Sequence, residues 1–438
     1  MSMCYMERDK LINKNKLRAD NNCFFVKHNK FFAITALLFI LFFLVATPIS
    51  GDDVNYFALQ STNFEWLSLR YNTWSSRIVI ESILPFMAKH EYIFKLITIL
   101  LFLSAPIAIY ITTQKYKLSA SLCILLIAIF PFYKLTSAGY AATMTNYFYP
   151  ILFGLWIFVY LFIKKANIFG YLILMILATY VVNHEQTAIL LLVVSLIALF
   201  YKDSDKKLAS LCLILSVIGL FFIFTCPGNS VRLAAESKTW LPGYENYELL
   251  DKINLGITSS LYFLNYRGPV AFLFCFASVI YAFTKKIRLS LALVVFLTIL
   301  INLFLKKYIG PDYLEHDIQW LNKFPIHSFL ILLAMPLALV LFVLFMQISI
   351  QDKFFIILII ASAYAIRCTM GFSPTVFASI ERPSMFSHLL FILCGLFVLL
   401  KGNVEKKNIY VLITLFGMYG ATNSLLRGLR SVHHAIFM

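Results

Sequence analysis

Runs of about 20 mainly apolar residues recur along almost the whole chain, and a run of that length can cross a lipid bilayer as an α-helix. Hydrophobic residues make up 61% of the 438 residues and charged residues 13%, whereas soluble domains average about 45–50% and about 25%. Lipid must therefore cover apolar surface that a soluble core could not bury. We predict an all-α polytopic membrane protein with about 13 transmembrane helices. The predicted spans are Phe31–Ser50, Tyr92–Thr113, Leu118–Phe132, Phe148–Ile163, Ile168–Val182, Gln186–Phe200, Leu208–Cys226, Val270–Thr284, Leu289–Leu305, Ser328–Ile350, Phe354–Met370, Met385–Leu400 and Ile409–Asn423.

The linkers between these spans fall into two alternating sets that differ in charge. One set is short and contains 21 of the 37 Lys and Arg residues but 7 of the 21 Asp and Glu residues. Short basic linkers face the cytoplasm, so we predict a cytoplasmic N-terminal tail at 1–30, a single transmembrane domain at 31–423 and a C-terminal tail at 424–438. The long loops then face outwards, and they comprise residues 51–91, 133–147, 227–269, 306–327 and 371–384.

This topology depends on residues 168–200. We divide them at Asn183-His184-Glu185 into a hairpin of two helices. A single helix over this stretch would move every later loop to the other side and place the basic pairs Lys206-Lys207 and Lys285-Lys286 outside. The charge bias of the linkers favours the hairpin.

The net charge of +16 lies mostly in the short linkers, so it indicates topology and no nucleic-acid partner is expected. The composition also excludes cytosolic enzymes, disordered tails and secreted disulfide scaffolds. The sequence contains no P-loop, GxGxxG, GxSxG or HExxH motif in a helical context. ATP-driven and hydrolytic families therefore lose support.

Two acids, Asp52 and Asp53, directly follow the first predicted span. Neighbouring carboxylates at a membrane interface repel each other and lose solvation, which raises the pKa of one of them and suits a general base. The pair could instead hold a divalent cation, the one cofactor that these residues suggest. A solvated acidic turn at the end of a helix is the structural alternative.

Residues 64–90 alternate apolar and polar positions at roughly helical spacing, with an interruption at Pro85, and so predict one or two amphipathic helices on the outer surface. Trp74 would lie at headgroup depth. Arg77 could bind a phosphate, extend its charge to the interface, or pair with Glu81 one turn later.

Three further polar groups fall in the predicted outer loops. In Asn183-His184-Glu185, the carboxylate is either a second acid in an outward-facing cavity or a helix-starting group with Asn183 as the cap. The Pro-Gly turn at 227–228, followed by Asn229 and Arg232, could hold an anion or be a plain turn. Likewise, Glu381 and Arg382 could bind a phosphate or form an ion pair.

In this order, Gly51-Asp52-Asp53, Trp74-Ser75-Ser76-Arg77, Asn183-His184-Glu185, Pro227-Gly228-Asn229-Ser230-Val231-Arg232 and Glu381-Arg382 resemble the GT-C glycosyltransferases. They look like a bacterial membrane family related to the phage-type O-antigen glucosyltransferases, the serotype-converting enzymes of lipopolysaccharide. The resemblance covers residues 31–390, and it implies a GT-C-like fold in the bacterial inner membrane with a periplasmic active site. Many such enzymes carry a large soluble C-terminal domain. We expect none in residues 1–438, so acceptor recognition would rest on the loops.

The resemblance also implies a reaction, in which a sugar, usually glucose, passes from undecaprenyl phosphate to an O-antigen or other cell-surface glycan. By the same resemblance Asp52 or Asp53 would be the base and Glu185 a secondary acid. The residues that would bind substrate or its phosphate are Trp74, Arg77, His184, Asn229, Arg232, Glu381 and Arg382. The alternatives are a flippase or other transporter of lipid-linked sugars, and an O-antigen polymerase or ligase. A transporter would place ionisable groups at mid-bilayer between discontinuous or repeated spans.

Overall fold

The fold is seen in a computed structural model that describes residues 23–59, 63–136, 138–284, 326–402 and 404–437, together with residues 293, 294, 297, 298 and 300. Throughout these residues the regular secondary structure is helical, as predicted. After one turn at Phe24–Lys27, the helices are α1 Asn29–Ala46, α2 Asp52–Phe57, α3 Phe64–Thr73, α4 Ile78–Lys89, α5 Glu91–Thr113, α6 Ala120–Ile127, α7 Tyr140–Phe162, α8 Ile168–Val181, α9 Glu185–Phe200, α10 Lys206–Phe224, α11 Pro227–Trp240, α12 Leu249–Arg267, α13 Val270–Thr284, α14 Ile326–Phe345, α15 Ile350–Cys368, α16 Met385–Lys401 and α17 Lys406–Phe437.

Eight of the described helices are long and apolar enough to cross a bilayer, and they are α1, α5, α7, α10, α14, α15, α16 and α17. The pair α12 and α13, bent by 81° at Gly268-Pro269, raises this number to nine if it forms one broken span. Helices α8 and α9 are shorter, as is the segment Ala120–Lys134 that contains α6. The predicted span Leu289–Leu305 falls mostly outside the described residues. A polytopic membrane protein is therefore confirmed, whereas thirteen spans and a GT-C fold stay predictions.

The split at 183–185 is confirmed, because α8 ends at Val181 and α9 begins at Glu185. The Tyr171 hydroxyl, near the start of α8, donates to the carboxylate of Asp205, which lies just beyond the end of α9. The Asp205 N–H in turn donates to Leu161 O at 2.9 Å, at the end of α7. The start of α8 and the end of α9 therefore share one end of the bundle, as in a hairpin.

Two groups of connections define opposite ends of the bundle. Short linkers meet at one of them, where Asn29 and Tyr410 donate to Ser119 Oγ at 3.0 and 3.2 Å and Lys401 pairs with Asp352 at 2.8 Å. We call this the linker end. The long connections meet at the other, which we call the loop end and define by Asp53, Arg77, Glu185, Arg232 and Glu381. Those members of the two linker sets that lie within the described residues are thus also separated in space.

Tyr140 shows how the core fixes the loop end. Its fully buried ring packs edge-on against Phe94 and Phe43, with centroids 5.0 and 6.3 Å away, and its hydroxyl donates to Leu44 O at 2.9 Å. Aromatic rings in such arrangements add to the stability gained from burial. These contacts join the first turn of α7 to α1 and α5, so the N-terminus of α7 faces the segment that follows α1.

Two predicted boundaries were wrong. Pro85 does not interrupt the loop helices, because α4 continues past it to Lys89 with Leu84, Met87 and Ala88 buried. The last helix does not end at Asn423 but runs on to Phe437, through residues assigned to a tail. Hydropathy detects where apolar residues end, whereas a helix can continue through polar ones.

Candidate functional site

Arg77 and Glu185 form the central ion pair of the loop end. Arg77 lies in the turn between α3 and α4, and Glu185 is the first residue of α9. The guanidinium donates to Glu185 Oε2 at 2.7 Å from Nη2, to Glu185 Oε1 at 3.2 Å from Nε, and to Asn146 Oδ1 at 2.9 Å from Nη1. This forked geometry is the strongest arrangement for an arginine–carboxylate pair. It joins three segments that are far apart in the sequence.

The backbone around Glu185 is fixed by its two neighbours. Asn183 Oδ1 accepts the Ile80 N–H at 3.1 Å and so ties α4 to the hairpin. His184, rather than Asn183, caps α9, because its Nδ1 accepts the Gln186 N–H at 3.3 Å. The predicted cap was therefore wrong by one residue, because the side-chain oxygen of Asn183 accepts a hydrogen bond from α4 instead. Glu185 does lie at the positive end of α9, as the structural interpretation held.

Electrostatics keep Glu185 ionised. Burial would raise the pKa of its carboxyl group, but the charge of Arg77, together with smaller effects of His184 and Arg232, outweighs burial and lowers this pKa to about 2. Burial also lowers the pKa of His184 to about 3, and the positive charge of Arg77 adds to this effect. At neutral pH the site therefore contains a neutral imidazole and a carboxylate that accepts protons poorly.

Glu81 does not pair with Arg77. Its partner is Arg70, which donates from Nη2 to Oε1 at 2.9 Å and from Nε to Oε2 at 3.2 Å. Tyr56 joins this pair, and the Arg70 guanidinium lies 5.9 Å from the ring centroid of Trp74. The predicted interface residue Trp74 thus contacts a cation, and 37% of its surface is exposed. The alternative Arg77–Glu81 pair was wrong because Arg70 occupies that carboxylate.

The two acids after α1 have different environments. Asp53 is fully buried and accepts the N–H groups of Ala142 and Ala141 at 2.7 and 2.9 Å, at the N-terminus of α7. Burial raises the pKa of this carboxyl group against the lowering effect of those N–H groups. Gly139 makes the approach possible, because a Cβ there would lie 2.7 Å from Asp53 Oδ1. Asp52, by contrast, is exposed to solvent.

The turn at 227–228 starts helix α11 and packs against the end of α3. Cys226 Sγ donates to Tyr71 O at 3.0 Å, and a Cβ on Gly228 would lie 2.4 Å from Trp74 N. Asn229 donates to Ile223 O at 2.7 Å, which leaves its amide engaged with the backbone. Arg232 pairs with Glu236 at 3.0 Å one turn along α11. This segment therefore lies beside the turn that presents Arg77.

Glu381 belongs to a second charged group. It accepts a hydrogen bond from Lys134, and the same ammonium donates to Arg267 O at 3.0 Å. Arg382 donates to Ser379 O at 3.4 Å. Lys134 and Arg267 belong to predicted outer loops but were missed, because single cations in long loops carry no sequence pattern.

A buried arginine and a buried histidine lie beside this second group and were also missed. Arg367 is fully buried with its guanidinium 4.6 Å from the Phe263 ring centroid, and it donates to Ser384 Oγ at 3.2 Å. His388 is fully buried, and a Cβ on Gly268 would lie 3.1 Å from its Nε2. Both residues lie within predicted spans, where an ionisable side chain is a functional signal that should have been noticed.

Tyr147 and Phe386 connect the two charged groups. Each ring lies 5.2 Å from the His184 imidazole, and their own centroids are 6.0 Å apart. On the other side, Gln186 donates to Ile366 O at 2.8 Å, next to Arg367. The loop end thus holds two charged groups separated by a thin aromatic layer.

Comparison with known proteins identifies no relative. No family model, no curated protein and no solved structure matches this chain. Within the described residues, no group of three or more His, Cys, Asp or Glu side chains is placed to hold a metal ion. The function must therefore be argued from the loop end itself.

Proposed function

We propose that this chain is a membrane glycosyltransferase that moves a sugar from undecaprenyl phosphate to an O-antigen or other cell-surface glycan. The transfer would take place on the periplasmic face of the bacterial inner membrane. The observation that carries the proposal is the forked Arg77–Glu185 pair, with Arg232 nearby, at the loop end of a lipid-embedded bundle. A phosphate-linked lipid donor requires cations at such a place, next to apolar surface that accepts its chain.

The reaction is a direct displacement. The acceptor hydroxyl oxygen forms a bond to the anomeric carbon, the bond from that carbon to the phosphate oxygen breaks, and the phosphate leaves with the electron pair. A carboxylate takes the hydroxyl proton as the new bond forms. Arg77 and Arg232 would stabilise the charge that develops on the leaving phosphate.

Asp52 is the carboxylate that best suits the base. It is exposed, whereas Asp53 is buried and its oxygens accept backbone N–H groups. Glu185 is held ionised by Arg77, which makes it a weak base. Asp53 would then act as a positioning residue that fixes Asp52 beside the N-terminus of α7.

The first test is Asp52→Asn in purified protein supplied with polyprenyl-phosphate glucose and a lipid-linked glycan, without nucleotide. We expect transfer to fall by about 10²- to 10⁴-fold, the contribution of a general base. Asp352→Asn, at the linker end, is the matched control and should retain activity. Wild-type rates for Asp52→Asn would remove the base assignment, and absence of transfer by the wild-type protein would remove the proposed function.

The second test is Arg232→Gln. Because Arg232 lies beside the central pair rather than in it, we expect a raised KM for the lipid donor in a protein that still folds. An unchanged KM would exclude Arg232 from phosphate binding. Circular dichroism and gel filtration of the variant control for folding.

Transport of a lipid-linked sugar is the second candidate, and the 81° bend between α12 and α13 favours it. Discontinuous helices form the substrate sites of many transporters. The two candidates differ in product. In proteoliposomes, a transporter would make a fluorescent lipid-linked sugar accessible on the second leaflet without a new glycosidic bond, whereas a transferase would form that bond.

A further inference from the structure

A second site at the loop end lies apart from the Arg77–Glu185 pair. A cavity of about 320 Å³ opens between the turn at 132–136, residue 381 and the outer part of α17. We call it the Lys134 pocket, and its polar lining includes Lys134, Thr136, Glu381, Asn423, Arg427 and Arg430. Its volume is at the lower end of the range for sites that hold small ligands.

The pocket carries an excess of positive charge. Three of its lining residues are cations and one, Glu381, is an acid. Glu381 is already bound to Lys134, while Arg427 makes one long contact of 3.4 Å to Thr136 Oγ1. Arg430 has no side-chain partner among the residues that the structure describes. The two arginines are exposed and therefore available to a ligand.

Buried polar groups without a hydrogen-bond partner lie behind Lys134. Arg267, whose carbonyl accepts from Lys134, has a buried Nε without a partner within the described part of the chain. In the same part of the chain, Arg367 Nη1 and both ring nitrogens of His388 are also buried without a partner. A buried cation with unused donors is costly unless an anion is present for part of the working cycle. The positive charges of Arg267 and Arg367 therefore add to the positive potential of the Lys134 pocket.

We propose that the Lys134 pocket binds a phosphate group. Lys134, Arg427 and Arg430 would donate to the phosphate oxygens, for which arginine forks and a lysine ammonium are well suited. Glu381 competes for Lys134, so an incoming phosphate exchanges one anionic partner of Lys134 for another. The proposal does not depend on sugar transfer, since Lys134, Arg427 and Arg430 have no part in the proposed displacement.

The first test measures binding of inorganic pyrophosphate to the full chain in a phosphate-free detergent by calorimetry. We expect Lys134→Gln and the double variant Arg427→Gln/Arg430→Gln each to weaken binding by about tenfold or more, the effect of losing charge-assisted hydrogen bonds. The double variant changes exposed side chains only, so it keeps the test informative if Lys134→Gln fails to fold. Lys202→Gln, an exposed cation near the linker end, is the control and should bind as the wild type does.

Glu381→Gln makes the test sharper because its effect has the opposite sign. Removing the competing carboxylate frees Lys134, so pyrophosphate should bind several-fold more tightly. Equal affinity in all these variants, or no binding of pyrophosphate or lipid phosphate, would overturn the proposal.

A second arm identifies the source of the phosphate. Phosphatidic acid in mixed micelles is added as a competitor, with phosphate-free diacylglycerol as its control. Displacement of pyrophosphate by phosphatidic acid at lower concentration than by free phosphate assigns the pocket to a lipid headgroup. The reverse order assigns it to a soluble phosphate, and both results support the site.

Discussion

The two ends of the bundle hold their charges in different ways. At the linker end, Asp352 and Lys401 pair at 2.8 Å with 20% and 33% of their side chains exposed. At the loop end, Asp53 is fully buried, and the Arg70–Glu81 pair has 22% and 8% of its side chains exposed, while Arg77 and Glu185 have 17% and 33% exposed. Covered charges need a complete set of partners, whereas exposed ones need few. The loop end thus holds the two most covered carboxylates of this comparison, Asp53 and Glu81, with fixed partners, whereas the linker-end pair is partly open to solvent.

The largest effect should come from breaking the central pair. Arg77→Met leaves the partly covered Glu185 carboxylate and the Asn146 amide oxygen without their cation, so we expect unfolding to become easier by about 2–3 kcal/mol, the cost of losing charge-assisted hydrogen bonds. At the linker end, Lys401→Met should cost less than about 1 kcal/mol. Chemical denaturation in detergent measures both. Equal losses of unfolding free energy in the two variants would show that the ion pairs at the two ends contribute equally to stability.

A smaller effect should follow from Gly228→Ala. The added Cβ would lie 2.4 Å from Trp74 N and 2.6 Å from Tyr71 O, so α11 must move away from α3. Such overpacking costs about 1–3 kcal/mol. Gly154→Ala is the matched control, because nothing lies within 4 Å of a Cβ at that helical position. A stable Gly228→Ala variant would show that the loop helices tolerate displacement.

The smallest effect concerns pH and His184. Burial, aided by the positive charge of Arg77, lowers its pKa from 6.5 to about 3, so below about 6.5 the unfolded chain binds a proton that the folded chain does not. The stability due to this group is present at pH 7 and is lost as the pH falls. Between pH 7 and pH 5.5, wild type should lose about 1 kcal/mol more than His184→Asn.

Other titrating groups contribute equally to the pH dependence of stability in wild type and in His184→Asn, so their contributions cancel in the difference. Asn remains able to cap α9, so the variant should fold. Parallel pH profiles for the two proteins would show that His184 is protonated, or exposed, in the folded state.

The sequence predicted the helical class and the separation of the linkers, because hydropathy and charge bias are properties of single segments. It also placed the break at 183–185 correctly, from three polar residues between two apolar runs. Pairings were harder. Arg77 was assigned the nearby Glu81 as an alternative partner, but the structure pairs it with Glu185, which is 108 residues away. Such a choice depends on tertiary packing, which no local pattern encodes.

The role of the acids was only partly accessible. Asp52 and Asp53 are equivalent as letters, yet one is exposed and the other is covered by α7. The helical phase of α2 and the absence of a side chain at Gly139 decide that Asp53 is buried and Asp52 is exposed. Arg367 and His388, in contrast, could have been found from sequence, because each interrupts an apolar run with an ionisable group.

The length of α17 has a mechanical consequence. Its 32 residues measure about 48 Å along the axis, against a hydrocarbon layer of about 30 Å. Even tilted by 40°, the rod would extend over about 37 Å of the membrane normal. Part of α17 must therefore extend beyond the lipid tails. Arg427 and Arg430 belong to this continuous helix, so their backbone positions are held rigidly relative to the bundle.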